Sequence, residues 1–337
     1  CVGKDAATRW DDSLVDFADH NIYQSYAWGE WKRDDGWKPV RLMLRNSSKT
    51  VAIAQCLTKR LSYTSVRLFW VPGGPLYQRS IDRWDNISNL KIFSHHLKQY
   101  CQRTARFYWV RVYLTHAMDL EAQLALWQVG FRRPLYTLNS GLTYIIDLGQ
   151  DKGQLHASLD GKWRNQLRSA EKVAPSFHTG LQDLQIERYI AIHDAMCTDK
   201  NIPAIRITLD QLRRMRDALG DRMLLTIAST PQGDGCGAIV WMQDGKAHLG
   251  VSAANAMGRR RYLPNALYWH LLNDLKQRKV KYFDLAGIDP RINWGVYNFK
   301  RGMGANPVQY LGEWEHASHE GLRFGCNLAV WWKSNKL

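Results

Sequence analysis

The stretch Phe299-Lys300-Arg301-Gly302-Met303-Gly304 decides how this chain is read. It follows the hydrophobic segment Tyr282-Phe283-Asp284-Leu285-Ala286-Gly287, so the order is strand, glycine, short loop, then an aromatic–lysine–glycine turn. A lysine held in such a turn and backed by a ring can supply a fixed positive charge without acting as a base. That is what is needed where an acyl ester collapses through an oxyanion. The bland reading of Lys300 is a surface lysine in a turn; the adjacent ring and the two glycines weigh against it.

Working back from that stretch, residues 280–285 read as a strand, and Pro264 opens a helix that runs to about residue 278. Residues 223–228, 238–242 and 247–252 read as an antiparallel meander with turns at 233–235 and 244–245. Helices are expected at 186–197 and 209–219. A single amphipathic helix is expected over 155–173, where Leu159, Trp163, Leu167 and Ala170 recur at steps of four and three before Pro175. The earlier half repeats the mixture. Strands are expected at 40–44, 51–57, 67–71 and 108–113, helices at 87–104 and 120–129, and a loop entering a short helix at 23–32. The second unit opens with a strand at 143–148.

The whole sequence of 337 residues carries 46 Lys and Arg against 31 Asp and Glu, a formal net charge of +15. Such a surface favours polyanionic partners, namely nucleic acid, phosphorylated substrates or anionic membranes. Six cysteines (Cys1, Cys56, Cys101, Cys197, Cys236 and Cys326) include no C-x-x-C pair, which argues against a zinc site and a disulfide framework. No apolar run is long enough to span a bilayer, no signal peptide is visible, and a cytoplasmic location with reduced thiols is expected. There is no phosphate-binding G-x-x-x-x-G-K-[ST], no G-x-S-x-G and no H-E-x-x-H. The pair His95-His96 reads as surface. The segment Ala256-Met257-Gly258-Arg259-Arg260-Arg261 is a basic loop that lacks the second glycine of a coenzyme A cradle.

Four further segments precede the closing turn in order. They are Tyr26-Ala27-Trp28-Gly29-Glu30-Trp31-Lys32, then Trp70-Val71-Pro72-Gly73-Gly74-Pro75-Leu76, then the basic helix from Lys162 to Lys172, then Tyr282 to Gly287. Their types, order and spacing from about residue 20 to 315 resemble the FemABX family of peptidoglycan-bridge aminoacyltransferases. The resemblance implies an α/β fold of mixed sheets with two tandem GNAT-like domains: 1–148, to which 312–337 returns, and 149–311, carrying the Phe-Lys-x-Gly motif. No heptads are sustained between residues 218 and 258, so no coiled-coil arm is expected. The implied reaction is transfer of an amino acid from aminoacyl-tRNA to an amine of a peptidoglycan precursor, with neither metal nor cofactor. The implied acceptor is a nucleotide-linked or lipid-linked muramyl peptide, or another amine-bearing peptide.

By the same resemblance, Lys300 steadies charge on the carbonyl oxygen and the departing tRNA hydroxyl, and Phe299 shapes the slot beside it. Lys32, next to Trp31, matches a lysine that contacts pyrophosphate; its plain reading is a helix-surface charge. Arg206 falls where the family has a phosphate-contacting arginine, and Tyr262 lies near a substrate-binding tyrosine. Two positions depart from the pattern. Asp210 stands where a tyrosine is usual, and Val112-Tyr113-Leu114 lacks an acidic residue often found there. Arg164, Arg168 and Lys172 form a stripe that suits an RNA backbone or, equally, a solvated helix face. Arg259, Arg260 and Arg261 are a second candidate for contact with tRNA phosphate.

Sequence alone leaves three readings. The first is an aminoacyl-tRNA-dependent aminoacyltransferase, expected as a monomer. The second is an N-acyltransferase using acyl-coenzyme A or acyl-carrier protein on the same scaffold. The third is a non-catalytic module for RNA or peripheral membrane contact, which would use the basic surface and the Trp331-Trp332-Lys333 tail.

Overall fold

The computed structural model describes residues 4–202 and 206–335; Cys1 lies outside them. The chain forms two compact units, one from its start to Gly141 together with Gln309 onward, the other from Leu142 to Val308.

In the first unit, α1 (Lys4–Leu14), a single 3-10 turn and α2 (Tyr26–Trp31) precede three strands, β1 (Lys38–Asn46), β2 (Lys49–Arg60) and β3 (Val66–Pro72). These pair antiparallel in sequence order. A short β4 (Leu76–Tyr77) adds to β2. Helix α3 (Arg83–Thr104) then carries the chain back to β5 (Phe107–Ala117), parallel to β3, and α4 (Leu120–Gln128) follows. Strand β2 is buried over eight consecutive residues because the sheet is covered on both faces. Ala52, Ala54 and Cys56 pack with α3, while Ile53 meets Trp10, Leu14 and Phe17 from the N-terminal segment.

The second unit opens with β6 (Leu142–Asp147), α5 (Lys152–Ser158) and α6 (Gly161–Glu171), then β7 (Ser176–Thr179), α7 (Asp183–Asp199) and α8 (Leu209–Leu219). A meander of β8 (Met223–Thr230), β9 (Gly233–Gln243) and β10 (Lys246–Ala254) follows. Helices α9 (Ala256–Arg260) and α10 (Leu263–Gln277) lead to β11 (Tyr282–Asp284), parallel to β10 and antiparallel to β6. After α11 (Trp294–Arg301) comes β12 (Asn306–Ala317), which pairs antiparallel with β5 of the first unit from Tyr310 on, and then α12 (Glu320–Asn335). Both units therefore share one connectivity: a three-stranded antiparallel meander, a helical crossover, a parallel strand, and an antiparallel neighbour beyond it. This is the twin GNAT-like architecture.

The unit boundary falls at 141/142 rather than 148/149, because β6 bonds to β11 through Asp147, Ile146 and Ile145. The return to the first unit begins at Gln309, three residues before the expected 312. Buried charge fixes that return. Arg111 on β5 donates to Glu313 (3.0 Å) and Glu315 (2.9 Å) on β12, and Glu315 also accepts from Arg323 and Asn327 of α12.

The expected helix over 155–173 is two helices. Leu159 is extended (φ −63°, ψ 140°), and its side chain is buried in the core. The Asp160 N–H donates to Gly302 O at 2.9 Å instead of continuing the helix. The meander turn lies at 231–232, ahead of Gly233, and the basic segment expected as a loop at 256–261 is mostly helix α9.

Candidate functional site

The Phe299-Lys300 pair sits in the last turn of a helix rather than in a turn. Asn293 caps α11 by accepting the Val296 N–H at 3.1 Å, and Gly302 ends it. Gly304 follows with φ +69°, a conformation that glycine adopts without strain, and lies against the backbone of Ser158. Successive residues of this turn diverge: Phe299 and Arg301 face a cleft, whereas Lys300 turns inward and is 6% exposed.

The Lys300 ammonium donates to the carbonyls of Gly287 (3.0 Å) and Ala286 (3.3 Å). Those carbonyls are aimed by a strained turn. Ala286 has φ +62°, rare for a residue with a Cβ, and its N–H donates to Asp284 Oδ1 at 2.8 Å. The Thr143 hydroxyl reaches the same carboxylate, and His248 Nδ1 lies 3.4 Å from Asp284 Oδ2. Burial disfavours the charged amine and lowers the Lys300 pKa to about 8, against a smaller opposing pull from the Asp284 carboxylate. Two of the three ammonium protons go to these carbonyls.

The cleft on the other side of α11 encloses about 530 Å³. Its floor is aromatic. Phe299 packs on Trp163 (ring centroids 5.9 Å apart) and edge-on to Tyr268 (5.1 Å). Its rim is basic, with Lys162, Arg259 and Arg301 against the single carboxylate of Asp160. Tyr262 lines it too, in the left-handed conformation (φ 56°) just before α10 and 41% exposed. Among the described residues, the indole N–H of buried Trp163 meets no hydrogen-bond partner.

The structure thus brings Phe299, Tyr262 and Arg259 to one cleft, with Lys300 behind it. It does not gather the α6 stripe there. Arg164 is committed to the end of α5, donating to the carbonyls of Ala157 (3.1 Å) and Leu159. Arg168 bonds Asn165, and Lys172 is exposed at the end of α6. Arg259 is partly neutralised by Asp199 at 3.2 Å, while Arg260 and Arg261 are exposed. Arg206 reaches Thr198 (3.0 Å) and Asp194 (3.9 Å) next to α7. Asp210 pairs with Arg214 one turn along α8, a helix-surface contact. In the first unit, Lys32 bonds Asp35 at 2.9 Å and lies 3.7 Å over the Trp31 ring. Tyr113 packs edge-on to Tyr310 of β12.

Sequence reasoning passed over Asp284 and Arg301 as site residues. Arg301 lay inside the motif. For Asp284 the only signal was a carboxylate at the carboxyl end of a strand, where α/β sheets commonly place ligands.

No protein-family model and no curated protein matches the sequence. Among solved structures, FemX superposes with a TM-score of 0.79 over 92% of this chain and 95% of its own, at 13% identity. The fold is that of FemX. The FemX-like arrangement extends to more distant structures. L-PGS from Bacillus licheniformis gives a TM-score of 0.54 at 12% identity, covering 92% of this chain and 90% of that one. A tandem GNAT protein from the clavulanic acid biosynthesis pathway gives 0.57 at 11% identity, covering 95% and 97%. At such identities the likeness to FemX is one of fold, and the chemistry rests on the residues.

Proposed function

We propose that the protein transfers an aminoacyl group from aminoacyl-tRNA to an acceptor amine. The observation that carries this reading is the inward ammonium of Lys300, held by two carbonyls behind an aromatic, basic-rimmed cleft. A terminal nucleotide presents a stacking face and phosphates, which suit Phe299 and Trp163 on one hand and Lys162, Arg259 and Arg301 on the other. The FemX-like fold and the motif order support the same assignment.

In the reaction, the acceptor nitrogen attacks the ester carbonyl. The C–N bond forms, negative charge develops on the carbonyl oxygen, and the C–O bond to the ribose breaks. The amine proton passes, directly or through water, to the departing ribose oxygen. Lys300 supplies a positive charge behind the cleft wall that stabilises the developing negative charge through its field, and being fixed in advance it needs no reorganisation at that moment. Burial lowers the Lys300 pKa to about 8, which still leaves the charged form in the majority at pH 7. Holding both reactants supplies much of the remaining rate. No dedicated base is required, since the acceptor amine need be neutral only part of the time. The acceptor is an amine-bearing peptide, with nucleotide-linked and lipid-linked muramyl peptides the first to try. On the motif resemblance, Lys32 and Trp31 of the first unit are candidates for phosphate contact, and so, separately, is Arg206 of the second.

The test is transfer of labelled amino acids from a total charged-tRNA pool to such acceptors, with wild type and Lys300→Met in parallel. Label that moves to one acceptor, is lost after RNase, and falls at least a hundredfold in Lys300→Met supports the assignment. No transfer from any charged tRNA, with saturable coenzyme A binding instead, would move the protein to acyl-coenzyme A chemistry.

A further inference from the structure

Helix α12 presents an unusual outer face. From Phe324 to Trp332 it contains no Asp, Glu, Lys or Arg. Its inner side is spent on the unit itself: Asn327 is fully buried, and Arg323 pairs with Glu315 and Glu320. Its outer side shows Phe324, Leu328, Trp331 and Trp332. The neighbouring loop adds Leu135, Tyr136 and Leu138, and the Tyr136 ring lies tilted against Trp331 with centroids 6.1 Å apart. Each of these seven side chains is exposed by 40% or more. Scattered exposed apolar residues need no explanation, but a contiguous patch of this kind marks a binding surface.

The backbone beneath the patch points to the kind of partner. Asn327 Oδ1 accepts the N–H groups of Leu135 (3.0 Å) and Tyr136 (3.2 Å). Glu313 Oε1 accepts those of Leu138 (2.9 Å) and Asn139 (2.7 Å). These four loop donors are thus satisfied from within the unit by buried side chains, while the Thr137 N–H between them meets no partner among the described residues. A protein partner could offer acceptors of its own, whereas hydrocarbon offers none, so satisfying four of the loop's donors in advance lowers the cost of entering the lipid interface. Two tryptophans and a tyrosine suit the level of the head groups. The formal charge of +15 and the exposed Arg132 just ahead of the loop complement an anionic surface.

We infer that the outer face of α12, with the 135–138 loop, docks on an anionic phospholipid bilayer. The aromatic and leucine side chains enter the interfacial layer, and the basic surface adds attraction that salt weakens.

Co-sedimentation of the full chain with vesicles tests this without reference to the enzymatic reading. Vesicles of phosphatidylcholine with one quarter phosphatidylglycerol should bind the protein at least tenfold more tightly than phosphatidylcholine alone, and 0.5 M salt should reduce that preference. Leu328→Glu with Trp332→Glu should lower binding at least tenfold with an unchanged thermal transition, whereas Trp332→Phe should retain it. Absence of wild-type binding to the anionic vesicles would overturn the inference, as would equal binding by the double variant. So would sedimentation velocity showing a dimer that the double variant dissociates, since a second copy would then cover the patch.

Discussion

Replacing Lys300 by methionine should separate what that residue does for the reaction from what it does to the fold. Methionine has similar length and no charge, so it fills the same space. The fall in pKa from 10.5 to about 8 corresponds to roughly 3 kcal/mol of penalty on the charged form in the folded state. Removing the amine also leaves the Ala286 and Gly287 carbonyls without their donor, which costs about 1–2 kcal/mol in total. At pH 7 the variant should therefore be the more stable protein by about 1–2 kcal/mol. The sign of the pH dependence follows from proton counting. Between pH 8 and 10.5 the folded wild type has released the Lys300 proton while the unfolded chain still holds it, so wild-type stability rises with pH through that window. Above it the penalty is gone and only the lost hydrogen bonds remain, so the order of stability reverses. Urea unfolding followed by tryptophan fluorescence at pH 7, 9 and 10.5 measures this. A difference that does not change with pH, or a variant clearly weaker than wild type at pH 7, would refute the account of a desolvated ammonium. Transfer should meanwhile drop by about 10²–10³, the usual loss of one group that stabilises the oxyanion.

Other substitutions probe the remaining parts. Glu315→Ala strips the fully buried Arg111 and the half-buried Arg323 of a shared carboxylate and should destabilise the first unit by about 3–5 kcal/mol in urea titrations. Gly304→Ala forces a side chain into φ +69° with its Cβ 2.5 Å from Ser158 O. It should cost at least about 1–3 kcal/mol and lower transfer by shifting Lys300. Arg164→Ala should reduce stability by about 1 kcal/mol through its lost carbonyl contacts while leaving the salt dependence of RNA binding unchanged. Lys162→Gln and Arg301→Gln, on the cleft rim, should each reduce the slope of log K against log salt by about 0.7. A full slope change in Arg164→Ala would reinstate the helical stripe.

Much of the fold was legible because its signals are local. The apolar runs of β2 and β8–β9, the Asp244-Gly245 turn and Pro264 at the head of α10 each act within a few residues. The break between α5 and α6 was not legible. The apolar spacing through Leu159 is helical, and what stops the helix is Gly302, more than 140 residues away, taking the Asp160 N–H. The candidate site divides the same way. Phe299, Lys300 and Arg301 are adjacent in sequence, and the aromatic–lysine–glycine pattern stands out by itself. Asp284, Thr143 and His248 gather around the Lys300 turn from three separate strands, and nothing in any one segment announces that meeting.

Composition, periodicity and turn chemistry are properties of short stretches, and they suffice for a basic, mixed α/β chain with a lysine motif late in its second half. Which charges are free to act is set by folding. It drew Arg164 onto the end of a helix, paired Arg259 with Asp199 and Lys32 with Asp35, and buried Lys300 between two carbonyls. Whether a cation is neutralised, desolvated or open to a ligand depends on partners distant in the chain, and those partners exist only once the chain has folded.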